Sequence, residues 1–310
     1  MGAAGIGSAG SSAPGRAGSI AVPAAGTGGS GAAGGTAGGT AGAAGGAGAG
    51  MAGGAAGAAG MAGSGGEPVD PNACAVGPIP AGVRQEYRFD AFYTRYASAA
   101  GVPVVASDSP EDEALRRTCL IVLDLSSGPA NVRPSMLENH IYFILIGADE
   151  TTASTPEFRS SGVPDSRARG LGSTNYAVCA EESVMCDRTT DRWRGESICV
   201  HEYSHTFHNG VFRRVDSMFQ TKLSAAFDNA RSNGLWSNTY ADDNAAEYFA
   251  EGVQSWYNTN QVPSRTPTDG VHNAINTKDE LEEYDPMLYE LLAGVLPAVP
   301  GWKDCYHYDR

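Results

Sequence analysis

The alternation of apolar and polar positions along the chain first predicts a set of short helices and strands. The segment 89–101, FDAFYTRYASAAG, places its aromatic side chains on one face at helical spacing and predicts a short helix that ends at Gly101. The β-branched run 102–107 predicts a strand, and the apolar run 140–147 predicts a second, buried strand.

The segment between these strands has two possible interpretations. Its apolar run at 119–125 is typical of a strand. However, Ser109 is suited to an N-cap, Pro110 to a first turn, and Gly128 to a helix stop. Together these signals predict a helix of about 17 residues, which we favour over a strand.

The second half of the chain has mainly helical periodicity. Residues 174–186, TNYAVCAEESVMC, predict one or two further strands or a ribbon closed by cysteines. Beyond Gly195 the pattern predicts helices at 196–209, 215–232, 242–257 and 277–293. Strands followed by helices predict an α+β domain, with a small twisted sheet and a mostly helical C-terminal half.

The first 66 residues differ in composition from the rest of the chain. They hold 26 of the 41 glycines, much alanine, no aromatic residue and a single charge, Arg16. Such a segment buries too little apolar surface to offset its ordering entropy. We therefore expect residues 1–66 to form a disordered Gly/Ala-rich tether, because silk-like stacking needs a more regular repeat. Residues 67–310 are expected to form one domain.

The charge of the chain lies in this domain and excludes one class of partner. Leaving Arg16 out of the 21 basic side chains, 35 acidic side chains stand against 20, a formal charge of −15. An acidic domain is a poor binder of nucleic acid, so no nucleic-acid partner is expected. No apolar run is long enough to predict a transmembrane segment.

The cysteines predict an oxidising compartment. None forms a CxxC pair, and the even number favours three disulfides over a thiolate metal site. One of the 15 possible pairings joins Cys179 to Cys186, Cys74 to Cys305 and Cys119 to Cys199. The alternative is a set of buried free thiols in a cytoplasmic protein.

The N-terminus shows neither the basic nor the apolar part of a secretion signal. A flexible segment followed by a cysteine-bearing domain is still typical of surface display. We therefore expect an extracellular or cell-surface location, with a leader upstream of this start.

A histidine motif lies in the helix expected at 196–209. His201, Glu202 and His205 match the pattern H-E-x-x-H. Residues four apart lie above one another on a helix, so both imidazoles can reach one Zn²⁺ ion while Glu202 lies beside it as a general base. The alternative is that these are ordinary histidines of an amphipathic helix.

A catalytic zinc ion needs a third protein ligand. The metzincin continuation of the motif fails here, because His208 takes its glycine position and Val211 its last histidine position. The helix expected at 242–257 offers Glu247 and Glu251 on one face, an arrangement typical of gluzincins. We favour Glu247 as the ligand; Glu251 is the second candidate, and two solvated surface glutamates are the alternative.

Two further roles are expected for residues at the start of this helix and within it. Asp243 or Asn244 is suited to cap its start. If Glu247 binds the metal, Glu251 is placed to accept a hydrogen bond from the free N–H of a ligand histidine and to fix its orientation.

The stretch 240–251, YADDNAAEYFAE, resembles the third-ligand helix of metallopeptidases of the anthrax lethal factor type. That family has a tyrosine, an asparagine and a ligand glutamate followed by two aromatic residues, alanine and glutamate. A wider pattern, RARGLG at 167–172, DRWRGES…VHEYSH within 191–205 and EYFAEGVQSWYN…NTKDELEEYDP within 247–286, also resembles bacterial and fungal zincin-like proteins, which imply no substrate. The resemblance implies a zincin-like fold, zinc bound by His201, His205 and Glu247, Glu202 as base, and Tyr240 as a hydrogen-bond donor to the substrate carbonyl.

Other tyrosine and histidine positions have simpler interpretations. Any one of 13 tyrosines is usually a packing residue, and only its place before the ligand helix distinguishes Tyr240. His208 either lines the cleft or, as we favour, interacts with the last carbonyls of its helix. His272 and His307 are expected at the surface or in structural roles.

These observations together predict an extracellular zinc metallopeptidase with one Zn²⁺ ion, a protein or peptide substrate and a monomeric state. One alternative is a zinc amidohydrolase acting on cell-wall or polysaccharide amides. Another is a surface-displayed binding protein with a structural zinc site.

Overall fold

The computed structural model describes residues 73–162, 168–187, 189–303 and 306. The expected tether at 1–66 lies outside the described residues, as do His307 and Cys305.

The described strands form one mixed sheet. They are β1 Gly77–Pro78, β2 Arg95–Ala99, β3 Val102–Ala106, β4 Tyr142–Ile146, β5 Gly170–Gly172 and β6 Tyr176–Ala180. Their order is β1-β2-β3-β4-β6-β5. The central strands β3, β4 and β6 are parallel, whereas β1, β2 and β5 pair antiparallel to their neighbours. Parallel strands occur in sheets that are covered on both faces. Apolar residues of these strands indeed belong to two separate cores.

The helices lie between the strands and, more densely, after them. They are α1 Ala81–Tyr87, α2 Asp112–Leu125, α3 Val132–Glu138, α4 Glu181–Met185, α5 Ile198–Thr206, α6 Arg213–Val215, α7 Phe219–Ser232, α8 Ala245–Trp256, α9 Lys278–Tyr284 and α10 Pro286–Ala293. A π-helix at Phe207–Phe212 joins α5 to α6, and short 3₁₀ turns occur at Thr152–Ser154 and Tyr240–Asp242. The expected α+β architecture with a mostly helical C-terminal half is confirmed.

Alternate residues of the central strands face two different cores. Phe143 and Leu145 of β4 belong to the larger core, which also holds the apolar sides of α2, α5 and α8. Ile144 and Ile146 belong to a smaller core on the opposite face, with Tyr93 and other aromatic side chains. The sheet therefore separates the two cores, and α5 lies on the larger one.

The prediction of a helix at 89–101 is wrong. Residues Arg95–Ala99 form β2, which pairs with β3 through a two-residue turn. Ala100 and Gly101 both have positive φ, 51° and 98°, as this turn type requires. Gly101 thus lies in the hairpin turn and does not end a helix, and the aromatic residues before it pack in or against the smaller core.

The other predicted elements are largely confirmed. Strands form within 102–107 and 140–147, and the ambiguous segment at 119–125 is helical, as favoured. The segment 174–186 forms β6 and then α4. The single helix expected at 277–293 is two helices, because Asp285 leaves the helical conformation and its side chain caps α10 by accepting from the Leu288 N–H at 3.1 Å.

The disulfides exist but the expected pairing is wrong. Cys74 is bonded to Cys119 and Cys179 to Cys199, with Cα–Cα distances of 5.6 and 5.2 Å. Cys186 is also disulfide-bonded. Cys179 pairs with Cys199 because α5 lies directly against β6, a contact that sequence separation does not show. Among the described residues no helix combines the length and the apolar character needed to cross a membrane.

Candidate metal centre

Helix α5 carries the first three candidate residues and lies unusually close to the sheet. A Cβ on Gly170 of β5 would be 2.5 Å from Glu202 Cγ, and one on Gly172 would be 2.6 Å from His205 Cβ. Only glycine therefore allows the strand and the helix to approach this closely. The contact fixes the height of Glu202 and His205 above the sheet.

Helix α8 brings the fourth candidate, and its start is set by Asn244. The Asn244 Oδ1 accepts hydrogen bonds from the N–H groups of Ala246 and Glu247, at 2.9 and 3.1 Å. Of the two capping residues considered from the sequence, the structure selects Asn244. Glu247 therefore lies in the first turn of α8, facing α5.

Three of the predicted ligand atoms converge. Glu247 Oε2 lies 3.0 Å from His201 Nε2 and 3.3 Å from His205 Nε2, and the two Nε2 atoms are 3.3 Å apart. Zinc ligands lie about 2.0–2.1 Å from the ion, so two ligands of a tetrahedral site are about 3.3 Å apart. The triangle formed by His201, His205 and Glu247 has the size that such an ion needs, and these residues could hold a metal ion.

The charge around this triangle also fits a cation. Glu196, Glu202, Glu247 and Glu251 are all buried, with no more than 4% of each exposed. A buried carboxylate is stable only when a positive group or hydrogen bonds compensate for its lost hydration. A divalent cation at the triangle would supply two of the positive charges that this acidic interior requires.

The pKa values show the same electrostatic balance. Burial by itself raises the pKa of Glu247, but the imidazoles of His205 and His201 lower it to about 2. Burial likewise opposes charge on His201, yet the carboxylates of Glu247 and Glu251 raise its pKa well above the ordinary value. The site therefore favours positive charge at its centre and negative charge on Glu247.

The two predicted catalytic residues lie beside this triangle. Glu202 is 3% exposed, and its negative charge contributes to the raised pKa of His201. Tyr240 begins the 3₁₀ turn before α8, and its ring stacks on His201 with centroids 6.0 Å apart. The Tyr240 N–H donates to Val271 O at 2.8 Å, which holds the residue in place.

Glu251 lies where the sequence places it, but another side chain is closer to the ligand histidine. Its Oε1 is 3.4 Å from His201 Nδ1, whereas Gln254 Oε1 is 2.9 Å from the same nitrogen. Sequence reasoning missed Gln254. It follows Glu247 by seven residues and Glu251 by three, so its position on the same helix face was the available signal.

A second buried cluster adjoins the first. It consists of Glu196, Glu251 and His272, and these side chains also lie close enough together to hold an ion. His272 Nε2 is 3.4 Å from Glu196 Oε2. Burial by itself lowers the pKa of His272, but Glu196 and other carboxylates raise it to about 9. Of the two expectations for His272, a surface position is wrong and a structural role remains.

His208 is separated from the triangle by its surroundings. We expected the helix to end near His208. It instead continues through the π-helix Phe207–Phe212. His208 Nε2 lies 2.9 Å from Gln220 Oε1, and its ring contacts Phe219 and Phe249. Burial lowers the pKa of His208 to about 4. It is a neutral residue in an aromatic environment.

Comparisons of the chain with protein-family models, curated proteins and solved structures gave no match.

Proposed function

We propose that this protein is an extracellular zinc-dependent peptidase with a zincin-like catalytic domain and one Zn²⁺ ion bound by His201, His205 and Glu247. The observation that carries the proposal is the convergence of these three buried ligand atoms from two helices, with Glu202 adjacent to His201 in the same motif. The disulfides are compatible with the proposed location.

The proposed reaction is the hydrolysis of a peptide bond by water. When bound, a zinc ion supplies a Lewis acid that lowers the pKa of water and polarises a carbonyl group. Glu202 accepts the proton of the attacking water at its carboxylate and returns it to the leaving nitrogen. The Tyr240 hydroxyl donates a hydrogen bond to the substrate carbonyl oxygen as negative charge develops there.

A binding protein with a structural metal is the first alternative. Structural zinc sites have four protein ligands, whereas the group found among the described residues has three. A structural site also has no use for a buried carboxylate such as Glu202 beside the metal. Both features favour an open catalytic site.

A non-peptidase hydrolase of cell-wall or polysaccharide amides is the second alternative, and it shares the same chemistry. A screen that compares peptide substrates with peptidoglycan and N-acetylated polysaccharides separates it from a peptidase. The net negative charge of the chain does not favour nucleic acid as a substrate.

The substitution Glu202→Gln tests the proposed mechanism. It keeps the shape of the side chain but removes the base, so the variant should bind one zinc ion and lose at least about 100-fold in kcat. Zinc content by elemental analysis and peptide hydrolysis by the same preparation measure both quantities.

The matched variant is His205→Ala, which should lose the zinc ion together with the activity. Undiminished hydrolysis by Glu202→Gln would overturn the assignment of the base. Full zinc content in His205→Ala would overturn the metal site.

A further inference from the structure

Gln254 of α8 lies fully buried between the metal triangle and the second cluster. Its Oε1 is 2.9 Å from His201 Nδ1, on the side of the imidazole away from Glu247. Its Nε2 donates to Glu196 Oε2 at 3.1 Å and to Ser197 O at 3.2 Å. One amide therefore connects His201 to the residues immediately before α5.

These contacts fix the orientation of the Gln254 amide. A carboxylate and a backbone carbonyl are both acceptors, so the NH₂ group of Gln254 must face Glu196 and Ser197. Its oxygen then faces His201 and can only accept. It follows that Nδ1 of His201 carries a hydrogen in both charge states of the ring. In the neutral form, which is the form that binds a metal, the lone pair is therefore on Nε2, the nitrogen that faces the triangle.

The Glu196 carboxylate is itself held by His272. The same oxygen that accepts from Gln254 lies 3.4 Å from His272 Nε2. A tight turn presents His272, because Asp269 Oδ1 accepts from the N–H groups of Val271 and His272 at 3.1 and 2.9 Å. The loop between α8 and α9 thus reaches the metal triangle through Glu196 and Gln254.

Glu251 is less suited to orient His201. It is farther from Nδ1, at 3.4 Å, and its Oε2 already accepts from Asn260 Nδ2 at 2.9 Å. Among the described residues, Nδ1 of His205 has no hydrogen-bond partner. His201 is therefore the ligand histidine whose ring is fixed by hydrogen bonding, whereas His205 is fixed by its contact with Gly172.

We propose that Gln254 is the positioning residue that sets the tautomer of His201 for metal binding, and that the Glu196–His272 pair holds Gln254 in that orientation. The proposal rests on the metal site of the proposed function but not on hydrolysis.

A second cation bound by Glu196, Glu251 and His272 is the competing interpretation of the same cluster. The N–H donors of Gln254 and Asn260 already point at the two carboxylates. A cation there would place its charge against these donors. The cluster is therefore better explained as a hydrogen-bonded support for His201.

The first test compares Gln254→Met with Glu251→Gln by measuring zinc dissociation constants in competition with a chelator. Gln254→Met keeps the length of the side chain but removes the acceptor, and zinc affinity should fall about 10–100-fold. The fall in zinc affinity of Glu251→Gln should be several-fold smaller than that of Gln254→Met. Gln261→Met, at a half-buried loop position, controls for the substitution itself. A larger loss in Glu251→Gln than in Gln254→Met would overturn the proposal.

The second test needs no destabilising variant. In the zinc-loaded wild-type protein labelled with ¹⁵N-histidine, NMR should show His201 protonated at Nδ1, with a proton that exchanges slowly. Metal bound at Nδ1 instead would overturn the proposal, whatever the activity.

Metal stoichiometry gives the third test. Wild type and His272→Gln should each bind at most one zinc ion per chain, with weaker binding in the variant. Two ions in wild type and one in His272→Gln would show that the cluster binds a cation, and the proposal would fail.

Discussion

His208 shows how strongly the surroundings change one residue type. It lies three residues after His205 and contacts aromatic rings and Gln220. His201 and His205, in contrast, face Glu247. Burial favours the neutral imidazole of His208, whereas nearby carboxylates favour positive charge on His201. The same side chain therefore has opposite electrostatic preferences within two turns of helix.

This difference predicts an acid-sensitive contribution to stability. The pKa of His208 falls from 6.5 to about 4 on folding, so the stabilisation is complete above pH 6.5 and is lost as pH falls toward 4. Between pH 7.5 and 5 the loss should be about 2 kcal/mol. His208→Gln can still hydrogen-bond to Gln220. Over this pH range its free energy of unfolding should fall by about 2 kcal/mol less than that of wild type.

Urea unfolding of the metal-free protein at the two pH values measures the effect without interference from zinc release. Equal pH dependence in wild type and His208→Gln would show that His208 is not buried as a neutral group.

At the residue scale, the sequence identified the side chains with distinctive chemistry. His201, Glu202 and His205 were found from their helical spacing, and the triangle places Glu247 with the two histidines. Gln254 was missed because an amide has no spacing motif of its own. His272 comes from a loop, whose course depends on tertiary contacts that no local pattern shows.

At the scale of elements, the contact between β5 and α5 depends on a glycine. A methyl group on Gly172 would meet His205 Cβ at 2.6 Å and Glu202 O at 2.7 Å. Gly172→Ala must therefore displace the helix from the strand. We expect a loss of about 1–3 kcal/mol in the free energy of unfolding, with weaker zinc binding because His205 moves.

Gly82→Ala is the matched control, because a methyl group there meets nothing within 4 Å and α1 packs against the smaller core, whereas α5 and α8 pack against the larger one. It should leave zinc binding unchanged and stabilise the protein by at most about 1 kcal/mol. Denaturant unfolding and zinc competition measure both variants. A Gly172→Ala protein with wild-type stability and zinc affinity would contradict the proposed close contact.

The elements that the sequence predicted well are those in which periodicity and end signals agree. Helix α8 combines an apolar face with the Asn244 cap, and β4 is a continuous apolar run. The segment 89–101 was misassigned because its aromatic spacing is helical, whereas pairing with β3 determines its structure. Tertiary pairing overrides local pattern in short strands of this kind.

At the scale of the whole molecule, covalent links hold the site to the sheet. The Cys179–Cys199 disulfide joins β6 to α5, two residues before His201. In the sequence only the number and spacing of the cysteines were visible, so oxidation was predictable and the pairing was not. The pairing depends on which elements are neighbours in the fold.

Removing this link should destabilise the domain. For the double variant Cys179→Ala/Cys199→Ala, the chain-entropy model predicts a loss of about 3 kcal/mol for a closed loop of this length. Thermal and urea unfolding of the purified variant measure the loss. A variant as stable as wild type would indicate that packing alone holds α5 on the sheet.

The central claim is that one zinc ion lies among His201, His205 and Glu247. Anomalous diffraction at the zinc absorption edge, from crystals of the purified protein, tests it most directly. We expect one anomalous peak within about 2.0–2.2 Å of the two Nε2 atoms and the Glu247 oxygen. A zinc-replete crystal without a peak at this triangle, or with its peak at Glu196, Glu251 and His272, would contradict it.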